Sequence, residues 1–335
     1  MKLTDLKYEY PEELIATEPS RPARVMWVEK ESMPIELTIE DVLGRIPPGD
    51  VLVINNTKVL KRRVFTKNEI EVLFLDQVGK SEHSNQWKVL FPSKKLPVGS
   101  ILELPHSFKM KLIEKGRPQI VEVTPAIQEA DFEKFAELPL PPYIQKARSE
   151  RHNVSEDASW YQTAWAARPG SMAAPTASLH FTMADLKKLE SRGVIVVEIT
   201  LHVGLGTFLP VTAEDLDQHQ MHAETYDVSE KVWQAITSAK ENKKHIWTLG
   251  TTSTRVVEAI ARTGKLSGST DILLQVGSDF KIVDRLMTNF HQPESTLLAL
   301  VAGFVGLNRV KECYIWAIAR KFKLFSYGDF SVWLK

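Results

Sequence analysis

Histidines at the ends of apolar or small-residue runs carry most of the chemistry that this sequence offers. His180 closes GSMAAPTASLH, residues 170–180, a run too marked by Gly and Pro for a long helix. Small side chains leave room, so such a loop can wrap a bulky substrate and present His180 as an acid or base, because imidazole titrates near neutral pH. His202 ends a second apolar run and leads into Val203-Gly204-Leu205-Gly206-Thr207, whose glycines let backbone amides approach a ligand closely. A tight turn would use the same two glycines. In a third run, Leu249 passes into Gly250-Thr251-Thr252-Ser253-Thr254 and then a helix carrying Arg255 and Glu258. Hydroxyls and the positive end of a helix suit an anionic group such as a carboxylate, and an ordinary capped helix has the same pattern.

His219, His222 and Glu224, within QHQMHAETY, have the residue types of a three-ligand zinc site. They do not follow the HExxH spacing, in which two histidines one helical turn apart flank the Glu. A polar pocket wall or a catalytic acid pair is the reading adopted, with no metal. Asn289-Phe290-His291 sets two polar side chains beside an aromatic at a helix entrance. An aromatic face attracts cations, although a lone Phe serves a core equally well.

These residues need a scaffold. The first stretch predicts a short helix at 11–16, a strand at 25–28 and a helix opened by Thr38 with Asp41 three residues on, the spacing of a capping box. After the PPGD turn, residues 51–54 are all apolar, as in a strand buried on both faces. From 58 to 125 the texture changes to short alternating strands between Gly, Pro, Ser and Asn turns, which reads as a small β-barrel or sandwich. LPLPPYI follows as a stiff linker. Beyond it come a helix capped by Thr182 and ended by Gly193, a buried strand at 194–203, a helix at 231–240, a strand at 245–249, a helix at 254–262 and a strand at 271–275. The fold class expected is α/β, with a discontinuous main domain of residues 1–57 and 137–335 and an inserted small β-barrel domain of residues 58–136.

Composition narrows the partners. Lys plus Arg and Asp plus Glu both total 42, so no global field draws the protein onto a polyanion. A nucleic acid would be gripped by local patches, for which Lys58, Lys61, Arg62 and Arg63, then Lys94 and Lys95, then Arg320, Lys321 and Lys323 are the candidates. Cys313 is the single cysteine, which excludes an internal disulfide and a Cys-based metal or iron–sulfur site, and its apolar-periodic surroundings predict a buried thiol. The most apolar segment, 297–307, is well short of the roughly 20 residues a membrane-crossing helix needs and reads as a buried helix. The charged start, MKLTDLKYEYPEEL, lacks the features of a signal peptide, so the cytoplasm is expected and no membrane partner.

Taken in order, YPEELIA, GDVLVINNTKV, PSKKL, ELPLPPYI, YQTAWA, GSMAAPTASLHFT, TLHVGLGTF, HQMHAETY, LGTTSTRVVEA, TDILL, VDRLMTNFHQPESTLL and FSYGD resemble the S-adenosylmethionine:tRNA ribosyltransferase-isomerase family over nearly the whole chain. The resemblance implies an enzyme, monomeric, that uses S-adenosylmethionine as a ribosyl donor. It transfers and isomerises the ribosyl group onto a 7-aminomethyl-7-deazaguanine at the wobble position of tRNA. The product is epoxyqueuosine, and adenine and methionine are released. That chemistry asks for a base for a proton beside the sulfonium and an acid for departing adenine, with no metal. By the resemblance, His180, His202, His222, Glu224 and His291 form the acid/base shortlist, and Gly204, Gly206, Thr207, Thr251, Thr252, Ser253 and Arg255 the donor pocket. The chain departs from the family pattern where Ser178 stands for a glycine and Glu294 for a lysine, and in trimmed loops at 21–24 and 67–69. The alternatives are a diverged relative with another acceptor, a catalytically silent RNA-binding protein and a metal-dependent hydrolase. An assay for adenine release, tRNA binding without turnover, and metal analysis would separate these.

Overall fold

The computed structural model describes residues 1–335 apart from Glu31, Leu205 and residues 207–210, so Thr207 lies outside the described residues. The chain folds as two compact units, one of Met1–Val59, Pro141–Arg151 and Ala158–Lys335, the other of Leu60–Leu140 and His152–Asp157.

In chain order the elements are β1 (Arg24–Glu29), β2 (Ile35–Thr38), α1 (Ile39–Arg45), β3 (Val51–Asn55), β4 (Thr57–Val59), β5 (Arg63–Phe65), β6 (Glu71–Lys80), β7 (Asn85–Leu90), β8 (Ile101–Glu103), β9 (Lys109–Glu114), β10 (Gln119–Thr124), α2 (Glu129–Phe135), α3 (Pro142–Arg148) and α4 (Asp157–Trp160). They continue with β11 (Arg168–Ser171), α5 (Met183–Ser191), β12 (Ile195–Leu201), β13 (Glu224–Asp227), α6 (Glu230–Glu241), β14 (Ile246–Leu249), α7 (Thr251–Thr263), β15 (Ser267–Thr270), β16 (Arg285–Asn289), α8 (Thr296–Val305), α9 (Leu307–Ala319) and β17 (Phe330–Leu334).

The larger unit is built on a nine-stranded mixed sheet in the order β15-β13-β12-β3-β14-β16-β17-β1-β2. Its centre, β12-β3-β14-β16, is parallel throughout. β13 and β15 extend one edge antiparallel, and β17, antiparallel to β16, begins the other. All five residues of β3 are buried, as its unbroken apolar run requires of a strand covered on both faces. On one face Leu52, Ile54, Trp247 and Met287 pack with Val42 and Leu43 of α1 and Leu186 and Leu189 of α5. Each buried Leu or Val there contributes about 1.5–3 kcal/mol relative to exposure.

Thr38, Thr182, Ser229 and Ser295 cap α1, α5, α6 and α8 through their hydroxyls, whereas α7 starts from Gly250 with no side-chain cap. That helix also starts three residues earlier than the sequence reading placed it. Gly250, at φ +92°, turns the chain straight from strand to helix. The Pro-rich stretch after Leu138 is not all linker, because α3 begins at Pro142, and a first-turn residue needs no N–H. The segment 11–16 holds only a single 3₁₀ turn, Glu12–Leu14. The strand expected at 271–275 lies instead at β15; there the Thr270 hydroxyl accepts from the Ile272 N–H and turns the chain, and Leu274 plugs the core. Among the described residues no helix is long and apolar enough to cross a membrane.

The smaller unit is a six-stranded antiparallel sheet, β5-β6-β7-β10-β9-β8, with α2 laying Phe132 against Phe74 and Trp87. Its end strands, β5 and β8, have three residues each and do not pair with one another. The sheet is therefore a curled half-barrel, where a small β-barrel or sandwich was expected. Arg62 and Arg63, read from sequence as part of a basic patch, are buried struts: Arg62 pairs with Glu129 over the Trp87 and Phe132 rings, and Arg63 pairs with Glu137.

Candidate active site

The four parallel strands end along one edge, β12 at Leu201 before His202, β3 at Asn55, β14 at Leu249 before Gly250, and β16 at Asn289. The chain winds from β3 outward to β12 and returns across β3 to β14, and ligands of open sheets bind beyond the carboxyl ends at such a reversal. Asn55 organises this edge. Fully buried, its Oδ1 accepts from the N–H groups of Leu201 and Thr57, both at 3.1 Å. Its Nδ2 donates to the Leu201 carbonyl at 3.0 Å and lies 3.4 Å from the Thr252 hydroxyl. One amide thus ties β3, the end of β12 and the first turn of α7.

His202 is gripped on two sides. Nδ1 lies 2.8 Å from Oγ1 of Thr57. The Gly170 backbone lies against the ring so closely that a Cβ there would fall 2.8 Å from both Cε1 and Nδ1. The small-residue run is held to this strand end: Val203 N–H donates to Oγ of Ser171 at 3.0 Å and Met172 N–H to the Val203 carbonyl at 2.8 Å. Nε2 of His202 has no hydrogen-bond partner among the described residues. Burial, then the charge of Arg168, pushes the His202 pKa below its usual value.

His180 ends a 3₁₀ turn, Thr176–His180. The Thr176 hydroxyl donates to Oδ1 of Asn289 at 2.9 Å, and Nδ2 of Asn289 donates to Nε2 of His180 at 3.0 Å. Phe330 meets the ring edge-on at 5.4 Å. Burial, then Arg21, takes this imidazole down to about 4, so it is neutral at physiological pH. Between them, Ser178 is fully buried with its hydroxyl unpaired.

Glu224, weighed from sequence as a metal ligand or catalytic acid, is taken by other partners. Its Oε1 accepts from the Gly204 N–H at 3.1 Å and its Oε2 from Nη1 of Arg255, both side chains being buried. Nε and Nη2 of Arg255 have no hydrogen-bond partner among the described residues. The Ser253 hydroxyl is spent on the Leu249 carbonyl at 3.1 Å. The N–H groups of Thr251, Thr252 and Ser253 have no hydrogen-bond partner among the described residues. His222 is exposed, with its ring against Gly206, where an added Cβ would come within 3.2 Å. Among the described residues no three His, Cys, Asp or Glu side chains converge to hold a metal ion.

His291 stands apart from these contacts. It is buried, its Nε2 is 2.9 Å from the Thr288 hydroxyl, its N–H donates to the Tyr314 hydroxyl, and its carbonyl accepts from Tyr8. Burial holds its pKa at about 3. Phe290 packs on Tyr314 and Phe322 in the core and offers no open face to a cation. Asn55, Thr57 and Thr176 were not singled out from sequence. Their only signal was polarity at the end of an apolar run or within a run of small residues.

The whole chain has close counterparts. The family model described as queuosine biosynthesis protein matches residues 3–332. An S-adenosylmethionine:tRNA ribosyltransferase-isomerase from Sulfurihydrogenibium sp. is 40% identical over 340 residues, covering 98% of both chains. The protein of the same name from Polynucleobacter necessarius is 40% identical over 98% of this chain and 97% of its own. A crystal structure of S-adenosylmethionine tRNA ribosyltransferase from Thermotoga maritima is 29% identical, with a TM-score of 0.56 over 98% of this chain and 100% of that one. On this match, end to end, the chain belongs to the queuosine biosynthesis protein family.

Proposed function

We propose that this chain is an S-adenosylmethionine:tRNA ribosyltransferase-isomerase. It moves the ribosyl group of S-adenosylmethionine onto the aminomethyl nitrogen of a 7-deazaguanine at the wobble position of tRNA, isomerises it to the epoxycyclopentanediol of epoxyqueuosine, and releases adenine and methionine. The observation that supports this reading is the convergence at one sheet edge of a half-buried neutral imidazole, a second imidazole whose Nε2 has no partner among the described residues, and an uncapped helix start beside an arginine.

We assign His202 as the base. A sulfonium acidifies the protons on the carbon beside it; Nε2 of His202 has no partner among the described residues, and burial biases the ring toward its neutral, proton-accepting form. His180 plays the complementary part. With Oδ1 of Asn289 accepting from Thr176, its Nδ2–H faces Nε2 of His180, which leaves the ring proton on Nδ1 as a donor for departing adenine. Glu224, held by Arg255, positions Gly204 through its N–H, His222 sits beside Gly206, and His291 serves the fold. Thr251, Thr252, Ser253 and Arg255 receive the donor, with Thr207 the remaining candidate in that loop.

In this reading residues 1–57 and 137–335 form the catalytic domain and 58–136 the inserted β domain. Exposed Lys58, Lys94, Lys95, Arg320, Lys321 and Lys323 remain to meet tRNA phosphates. In this reading the protein acts as a monomer in the cytoplasm, where its tRNA substrate is found. The test is incubation with S-adenosylmethionine and tRNA bearing the aminomethyl deazaguanine, followed by detection of free adenine and of the mass gain on the base. Release at the wild-type rate from singly substituted His180→Gln and His202→Gln proteins would show that the role assignments are wrong.

A further inference from the structure

We infer that Arg255 binds the carboxylate of the donor's methionine moiety side-on, with the first-turn amides of α7 completing the site. This rests on the reading of S-adenosylmethionine as the donor. Arg255 is 6% exposed, and Glu224 engages only Nη1 of its guanidinium. The two nitrogens left without a partner among the described residues are Nε and Nη2. They are the two whose N–H bonds run parallel on one edge of the guanidinium, the fork that both oxygens of a carboxylate accept together. Glu224, fixed in turn by the Gly204 N–H, holds the guanidinium so that this edge is the one left over. A desolvated guanidinium edge without acceptors costs free energy in the empty protein, and an anionic ligand removes that cost.

The helix supplies the second half. The N–H groups of Thr251, Thr252 and Ser253, without partners among the described residues, lie one turn before Arg255, at the positive end of thirteen residues of helix. Glu224 and Arg255 cancel in charge, so the helix end and the free donors, not net charge, select the anion. The depth of the site favours a small carboxylate over an RNA phosphate, because Thr251 is 7% exposed and Ser253 is fully buried.

The experiment pairs a truncated ligand with a truncated side chain. Dissociation constants of the full-length protein for S-adenosylmethionine and for its decarboxylated analogue are measured by calorimetry, in wild type, Arg255→Lys and Arg255→Gln/Glu224→Gln. The double substitution leaves no unpaired buried charge. Wild type should bind the decarboxylated analogue about 10- to 100-fold more weakly, as loss of a charged hydrogen-bond pair predicts. The double variant should bind the two alike to within about threefold, and Lys, which lacks the fork, should recover only part of the difference. Equal binding of both ligands by wild type, a measurement that needs no variant to fold, overturns the inference while leaving the donor reading intact. Full discrimination retained in a folded double variant also overturns it, as does a variant that loses tRNA affinity alone. Failure of wild type to bind either ligand overturns the donor reading and this inference together.

Discussion

Thr57 Oγ1 and His202 Nδ1 are 2.8 Å apart, and Thr57 is itself pinned by its N–H to the amide of Asn55. The contact fixes the imidazole plane and leaves Nε2 as the nitrogen that can exchange a proton with a ligand. Replacing Thr57 with Val removes the contact at nearly constant volume. If His202 is the base as proposed, steady-state kinetics should show kcat lowered about 10- to 100-fold, with KM for the donor nearly unchanged. Thr57→Ser should restore most of the rate. An unchanged kcat in Thr57→Val would remove the positioning role.

Gly170 tests the same ring from the other side. A Cβ at this position would fall 2.8 to 2.9 Å from Cε1, Nδ1 and Cγ of His202, so either the ring or the backbone must move. Gly170→Ala should depress kcat by at least about tenfold, because a misplacement of about 1 Å is enough to cost a large factor, and should lower the melting temperature as well, since Gly170 sits at φ +152°, while circular dichroism keeps the folded signature. Wild-type turnover in a folded Gly170→Ala protein would show that the ring orientation is not used.

The pH profile follows from burial. His202 is pushed below its usual value, so the acid limb of kcat/KM should lie below pH 6.5, with activity kept at mildly acidic pH and lost only as Nε2 protonates. Stability has a separate acid dependence. His180 and His291 are lowered from 6.5 to about 4 and about 3, so below pH 6.5 the unfolded chain binds protons that the folded one refuses. Folding stability is therefore complete above about pH 6.5 and falls as pH drops toward 4 for His180 and 3 for His291. Each contributes a slope of up to about 1.4 kcal/mol per pH unit. Denaturant titrations at pH 7 and pH 5.5 should show the loss, and His291→Gln should flatten it by about one residue's share.

Ser178 stands where the family pattern has glycine, yet its φ is not positive and no backbone requirement for glycine exists there. Its hydroxyl is buried without a partner, a state that costs about 1–3 kcal/mol. Ser178→Ala should raise stability by about 1 kcal/mol and leave turnover within about twofold, read from denaturant midpoints and initial rates. A large rate loss would mean that the hydroxyl meets the substrate.

Local chemistry was legible in the sequence wherever it was contiguous. The β3 run, the Thr38 and Thr182 caps and the small-residue loop announce themselves because their partners lie within a few residues. The Asn55 amide completes hydrogen bonds 146 residues away, and Asn289 meets His180 across 109, distances over which periodicity carries no information. Arg62 and Arg63 misled for the same reason, since adjacency made a basic patch of two side chains whose carboxylates, Glu129 and Glu137, come from residues about seventy positions later. His219, His222 and Glu224 looked like a ligand set by proximity in sequence, but Glu224 faces Arg255 from a neighbouring element. Glu294, a charge reversal in the sequence, is met by Lys7 at 3.7 Å.

The central claim is that the ribosyl group, and not the methyl group, leaves S-adenosylmethionine for the tRNA. The direct measurement uses two donors, one carrying carbon label in the ribose and one in the methyl group, each incubated with tRNA bearing the aminomethyl deazaguanine. The account predicts ribose label in the tRNA with adenine and labelled methionine released one for one, and no methyl label in the tRNA. Methyl label in the tRNA, or ribose label left wholly in the nucleoside fraction, would contradict it.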